Sequence, residues 1–403
     1  MQRILQKCPW LILLAGVLIQ ILTGIPSAWG AFQKPVIGEY GLDEQSAGYI
    51  FSILIAGYGI GCAAGGFLQD KYGPRKAAFA GTVLLCGGIA LGGVIPQGKA
   101  WLFYLAFSIP VGVGSAFLYP AVLSCAQKWY ADRKGLATGV VGCAMGLSGL
   151  FLTGFIALFT KGIWQEKGIR WAFFALALLT LPVCLGAGIL LENPKQGTGN
   201  TTQKQKGCTP KEMLHTRNYW LLVAAVALST PAVQLFSPML VEIGAERGLA
   251  ESQALWAVML GSVGNAAGRL SMPILSDKIG RKKNDQLLFV GLAVCSIAFW
   301  FAPHWWMIAA YVCLCVCYSG LAAVLPAFST DLFGLAHAGV NYGLLALGQT
   351  VGSLSFPLLA DGLGLKKGRH ILAILAAAVG FFVIKAVQTP AQLPKSGGGT
   401  EKA

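Results

Sequence analysis

Apolar residues in this chain fall in long runs separated by short polar or charged segments, instead of alternating at strand spacing. A helix rising about 1.5 Å per residue needs about 20 such residues to cross the hydrocarbon core of a bilayer. The runs predict twelve spans, at roughly 10 to 30, 48 to 68, 77 to 97, 101 to 126, 135 to 159, 170 to 191, 218 to 241, 252 to 274, 286 to 303, 306 to 329, 336 to 361 and 370 to 388. Twelve spans would use about 240 positions, which leaves short loops and one linker. Composition agrees: of 403 residues 55% are hydrophobic and 11% charged, with a mean hydropathy of +0.65, where soluble domains carry about a quarter charged residues. An ordinary water-soluble enzyme is excluded.

The net charge of +14 would suggest an anionic partner such as nucleic acid in a soluble chain, but its distribution argues for topology instead. With both termini on one side, the segments on that side hold 20 of the 30 Lys and Arg, and the opposite loops hold nine. The positive-inside rule then places both termini in the cytoplasm and the chain in the cytoplasmic (inner) membrane. Arg269 belongs to neither side.

Several local patterns invite other readings. Arg3 and Lys7 before an apolar stretch resemble a signal peptide, yet the stretch is long and many spans follow, so it is read as a retained first helix. Of the eleven Cys, most lie scattered in apolar spans as packing residues, and Cys313, Cys315 and Cys317 alternate around a helix so that they cannot converge on one metal. Asn200, Thr201 and Thr202 form a glycosylation acceptor pattern in a segment expected to be cytoplasmic. Gly146, Leu147, Ser148 and Gly149 spell the GxSG pattern of rhomboid proteases, but all four His lie in loops or at helix ends, so no base is at hand. No cofactor or metal is expected, and the chain is not read as an enzyme.

An internal repeat organises the chain. Gly66, Asp70, Gly73, Arg75 and Lys76 lie between spans 2 and 3, and Asp277, Gly280, Arg281 and Lys283 between spans 8 and 9, so that Asp70, Gly73 and Lys76 recur 207 residues later. Pro120 and Pro326 form a further echo. The expected architecture is all-α, with a six-helix bundle over residues 1–192, a cytoplasmic linker over 193–217, a second six-helix bundle over 218–391 and a cytoplasmic tail over 392–403. A carboxylate at the C-terminal end of a helix opposes the macrodipole, so Asp70 and Asp277 need partners. A helix N-terminus of the other half, or the neighbouring Arg, would supply one and latch the structure on the cytoplasmic side. These loop residues resemble the signature of the major facilitator superfamily. That resemblance covers essentially the whole chain and implies two pseudo-symmetric bundles of six helices rocking about a midplane site. Pro273 stands where Gly66 would repeat, which weakens the expected second latch.

Charged groups inside the spans are few. No Asp, Glu, Lys or His falls clearly within an apolar segment, which leaves Arg269 in span 8 as a cation without an intramembrane carboxylate to pair with. Intramembrane ionisable residues mark function by default, and a guanidinium holds a planar carboxylate through two parallel hydrogen bonds. Asn265 lies one helical turn away on the same face. The competing reading has Arg269 snorkelling to the interface.

The segments Phe117 to Pro120, Lys128 to Gly139 and Asn341 to Leu345 resemble the oxalate/formate antiporter and monocarboxylate transporter branch of the superfamily. The resemblance puts Arg269 on the substrate carboxylate, Tyr119 as a hydroxyl donor and Tyr318 as an aromatic wall. It also aligns Gln349 with the second cation of oxalate carriers, Asn265 with the Asp of animal monocarboxylate carriers, and Ser27 and Ala322 with oxalate-carrier aromatics. One cation suits one carboxylate, so the expected function is transport of small monocarboxylates of the lactate or pyruvate type, coupled to protons, by a monomer embedded in lipid with no nucleic-acid partner. Exchange of the oxalate/formate kind and a non-transporting sensor on the same fold are the alternatives. A cationic drug exporter would want an acidic pocket, and here an Arg stands in it.

Overall fold

Each apolar run forms a helix. The computed structural model describes residues 2–130, 134–194, 207–334, 337–362 and 366–388; residues 131–133 of the Lys128 to Gly139 segment, the Asn200 pattern, most of the linker and the C-terminal tail lie outside the described residues. Among the described residues the long helices number twelve: α1 Trp10–Tyr40, α2 Glu44–Tyr72, α3 Pro74–Gly92, α4 Ala100–Trp129, α5 Lys134–Thr160, α6 Gly168–Leu190, α7 Arg217–Glu246, α8 Glu251–Ile279, α9 Arg281–Phe301, α10 His304–Phe333, α11 Ala338–Gly362 and α12 Lys366–Ala386. Eleven are long and apolar enough to cross a membrane. The exception, α8, is long enough at 29 residues but carries Asn265 and Arg269 in its apolar stretch.

Helix ends follow local chemistry. The Asp43 side chain caps α2 by accepting from the Ser46 N–H, and those hydrogen bonds hold its carboxyl below the usual carboxylate range. At the other end of α2 the chain turns through Gly73 at φ 89°, and at the end of α8 through Gly280 at φ 91°. A side chain at either position would be strained, and the next helix starts immediately. The repeated glycine is therefore a backbone requirement met twice.

Two apolar cores define two bundles. Trp29, Phe32, Phe107 and Phe173 lie in the first, and Phe236, Phe289, Phe299 and Phe328 in the second. Lipid tails give helices little apolar incentive to associate, so close backbone approach carries much of the packing. In the first half Gly57 and Gly61 of α2 face α4, where a Cβ on Gly61 would stand 2.8 Å from Val113 Cα. In the second half Gly264 and Gly268 of α8 face α10, where a Cβ on Gly268 would stand 2.3 Å from the Val316 carbonyl oxygen. These two pairs are again 207 residues apart.

The halves meet along two seams of small residues. Along α2 and α11, a Cβ on Gly343 would lie 2.4 Å from the Cys62 carbonyl oxygen, and one on Gly66 would lie 2.5 Å from that of Gly339. Along α5 and α8, a Cβ on Gly146 would lie 2.4 Å from Ala266 Cα. The end of the bundle that carries the linker is also pinned by the linker itself. Cys208 donates its N–H to the Phe333 carbonyl at 2.8 Å, and its own carbonyl accepts from Asn341 Nδ2 at 3.2 Å.

Candidate anion-binding site

Two of the twelve helices are broken where they pass the centre of the bundle. α1 breaks at Gly24, just before Pro26, and α7 breaks between Ser229 and Leu240, a stretch holding Pro231 and Pro238. A break in lipid leaves carbonyls that need donors. Ser115 Oγ donates to the Thr23 carbonyl at 3.2 Å, and the Gly24 carbonyl accepts from the Ser27 N–H at 2.9 Å, with Ser148 Oγ, which donates to its own helix at Met145, 3.3 Å away. Ser148, the serine of the GxSG pattern, is thus a fully buried residue packed against the break in α1.

Between the breaks lies a cavity of about 90 Å³, roughly three water volumes. Arg269 is the one charged side chain among the described residues that line it. It is 9% exposed, so it does not reach out to an interface. Its stem crosses Gly142 of α5, where an added Cβ would meet Arg269 Cβ at 3.4 Å. Its Nε donates to Asn265 Oδ1 at 2.8 Å, and its guanidinium hydrogen bonds to the Tyr119 hydroxyl. Among the described residues no carboxylate pairs with it. A buried cation held only by neutral groups lacks a compensating charge, which disfavours it by several kcal/mol until an anion arrives.

Of the residues singled out from the sequence, Arg269, Asn265, Tyr318 and Gln349 line the cavity, as do Ser27 and Ala322. Tyr119 does not; it is 1% exposed and lies next to the guanidinium. Gln234, Tyr58 and Tyr342 also line the site and were not singled out. Gln234 donates Nε2 to the Tyr318 hydroxyl at 3.0 Å. The repeat contained the missing signal: Ser27 and Gln234, Phe51 and Val258, Ile55 and Ser262, and Tyr58 and Asn265 are all 207 residues apart, and all eight line the cavity. By the same offset Cys62 corresponds to Arg269, so only the second half carries the charge. Cys315 also faces the cavity, while Cys313 and Cys317, one turn apart, contact Cys295. The three thiols of α10 do not converge, and all eleven cysteines are unpaired.

Access differs at the two ends. Away from the linker, a vestibule of about 550 Å³ opens between the halves, lined by Tyr49, Gln234, Glu242, Asp361 and Arg369 among others, and Gln234 reaches both it and the cavity. Across its wall Tyr49 Oη of α2 donates to Asp361 Oδ2 of α11 at 2.9 Å. At the linker end Asp70 Oδ2 accepts from the Val340 N–H at 3.3 Å, in the first turn of α11 of the opposite half. The positive end of that helix dipole supplies the compensation a carboxylate at the end of α2 needs.

Asp277 is compensated differently. It pairs with Arg281 of its own half at 2.5 Å, and Arg281 also reaches Asp331 at 3.3 Å, tying α8, α9 and α10 together. Arg75 stays within the first half as well, donating to the Ile189 carbonyl at 2.7 Å and pairing with Glu192 at 3.4 Å. Lys76 lies over the Tyr72 ring at 5.7 Å.

One expectation needs correction. Asp285, placed just outside span 9 by the sequence pattern, lies in the second turn of α9 and is 3% exposed. Basic and polar residues before it disguise an early helix start, so an intramembrane carboxylate does exist.

The family model of the Major Facilitator Superfamily matches residues 12–354 and, a second time, residues 224–402. The chain belongs to that superfamily. It is 28% identical over 364 residues to the uncharacterised MFS-type transporter YhjX of Escherichia coli (strain K12), covering 87% of each chain. It is 25% identical over 392 residues to the oxalate:formate antiporter of Oxalobacter formigenes, covering 94% of this chain and 90% of that one. In fold it is similar to the proton:xylose symporter XylE, with a TM-score of 0.70 at 14% identity over 94% of this chain and 96% of XylE. It is also similar to FucP in its outward conformation, with a TM-score of 0.65 at 15% identity over 95% and 99%. This superfamily member is therefore an integral membrane transporter with twelve helices in two bundles.

Proposed function

We propose that the protein carries small monocarboxylates of the lactate or pyruvate type by alternating access, in symport with protons, with its linker end in the cytoplasm. The observation that carries this reading is the solitary buried Arg269 beside a small cavity with no carboxylate lining it. One guanidinium balances one carboxylate. A second carboxylate would remain uncompensated in a poorly solvated site, which disfavours dicarboxylates by several kcal/mol. The basic bias of the loops at the linker end supports the orientation. Symport follows from energetics: a lone monovalent anion entering a cell that is negative inside opposes about 2.3 kcal/mol per 100 mV, and a co-transported proton removes that opposition. The 25% identity to an oxalate:formate antiporter favours a second reading, in which the compensating movement is another anion leaving.

The test is uptake of labelled lactate, pyruvate, formate and oxalate by the purified protein in proteoliposomes, with and without an imposed pH gradient. Monocarboxylates are expected to enter and oxalate to be poorly carried. Uptake indifferent to the pH gradient but dependent on internal anion would replace symport by exchange. Gln349 borders the cavity, so Gln349→Lys adds a second cation there. Oxalate uptake relative to lactate is expected to rise at least tenfold, about 1.4 kcal/mol. An unchanged ratio would show that Gln349 does not face the guest.

A further inference from the structure

We infer that Asp285 is the proton-binding site that couples to the anion site at Arg269; this rests on the proton-symport reading above. The carboxyl is 3% exposed. Among the described residues its hydrogen-bond partner is the Asn284 amide, which donates to Oδ1 at 3.3 Å. It lines a small internal pocket whose wall includes Ala322, Tyr342 and Gln349, the same three residues that wall the Arg269 cavity. The two sites are neighbours across one shared partition.

The groups facing Asp285 leave it free to titrate. α7 presents Leu222, Ala225, Val226 and Ser229, α10 presents Leu321, Ala322 and Leu325, and α12 presents Ile384, none of them ionisable near neutrality. α11 contributes Tyr342, Ala346 and Gln349, of which only the phenol can ionise. On its own helix the nearest cation is Arg281, already committed to Asp277 and Asp331. The early turns of α9 favour the anion through the helix dipole, while burial favours the acid. Both protonation states are therefore within reach.

Charge counting then gives the coupling. With the site empty, Arg269 is positive and Asp285 negative, and the pair sums to zero. With one carboxylate anion on Arg269 and one proton on Asp285, the sum is again zero. Either ligand alone leaves a net buried charge, which a low-dielectric interior resists. The proton arrives through the cavity, forms an O–H bond on the Asp285 carboxylate, and leaves to water when the linker end opens, one proton for each anion.

The experiment compares wild type, Asp285→Asn and Asp285→Glu in proteoliposomes, measuring both pH-driven accumulation of labelled lactate and its exchange against internal unlabelled lactate. Wild type is expected to accumulate up to about tenfold per pH unit imposed. Asp285→Asn is expected to equilibrate at a ratio of one while exchange persists, and Asp285→Glu to recover accumulation. Full pH-driven accumulation by Asp285→Asn overturns the assignment. Loss of exchange together with accumulation, with lactate still bound by the purified variant, makes Asp285 structural and also overturns it. A wild type that exchanges lactate but ignores the pH gradient refutes the symport reading, and one that carries no monocarboxylate refutes the proposed function itself.

Discussion

Arg269→Ala is expected to abolish carboxylate uptake while leaving the protein folded and inserted. The side chain makes its polar contacts with Asn265 and Tyr119 and lies along Gly142. Its removal takes away a buried cation that, among the described residues, no carboxylate contacts, so the fold loses little. The guest loses its only counter-charge. Removing one member of a buried charge pair costs about 3–5 kcal/mol, which is a fall of a hundredfold or more in affinity. Arg269→Lys keeps the charge but not the planar fork, and is expected to recover only a minor part of uptake. Uptake by liposomes, read beside the melting temperature in detergent, checks both variants. Wild-type uptake by Arg269→Ala would remove the basis for the site.

The second large effect is expected from Gly343→Val, which drives the carrier toward the state open at the linker end. A Cβ at Gly343 would sit 2.4 Å from the Cys62 carbonyl oxygen and 2.6 Å from Ala63 Cα, and backbone atoms cannot yield as a flexible side chain does. Overpacking of this kind disfavours the closed seam by about 1–3 kcal/mol. That shifts the equilibrium between states by roughly 5- to 150-fold and slows turnover. Cys62 reports it directly, being fully buried in wild type. Maleimide labelling of Cys62, followed by peptide mapping, is expected to be strong in Gly343→Val and weak in wild type. Asp70→Asn, which loses a charge–dipole contact of about 0.3–1 kcal/mol, should fall between them. Protection of Cys62 in Gly343→Val as complete as in wild type would show that this seam does not gate the linker side.

Much of this molecule was legible beforehand because the bilayer restricts what a chain can do. Long apolar runs had to become helices, and a repeat in two loops revealed two halves. Gly73 and Gly280 were visible as a repeat, and the structure supplies their reason in matching left-handed turns. Arg269 stood out because a charge in an apolar run is rare. The site residues that carry little sequence signal are polar but uncharged, or charged but near a helix end. Gln234, Tyr58 and Tyr342 look like ordinary helix residues until the breaks at Gly24 and Pro231 aim the chain at a common space. Pro26, Pro231 and Pro238 were the available clue to those breaks. Asp285 was hidden by the Arg281 to Asn284 stretch, which reads as loop. Tyr119 reads from sequence either as a core aromatic or, through the family resemblance, as a hydroxyl donor, and its burial beside Arg269 is not decided by spacing.

The position equivalent to Arg269 in the first half is Cys62, a small neutral residue whose backbone packs against α11. The counter-charge offered to a guest at the centre of this nearly symmetric molecule thus comes from one bundle only. In the proposed alternating access, the cargo would travel as a passenger of the second bundle, with the first as a shutter sliding across it.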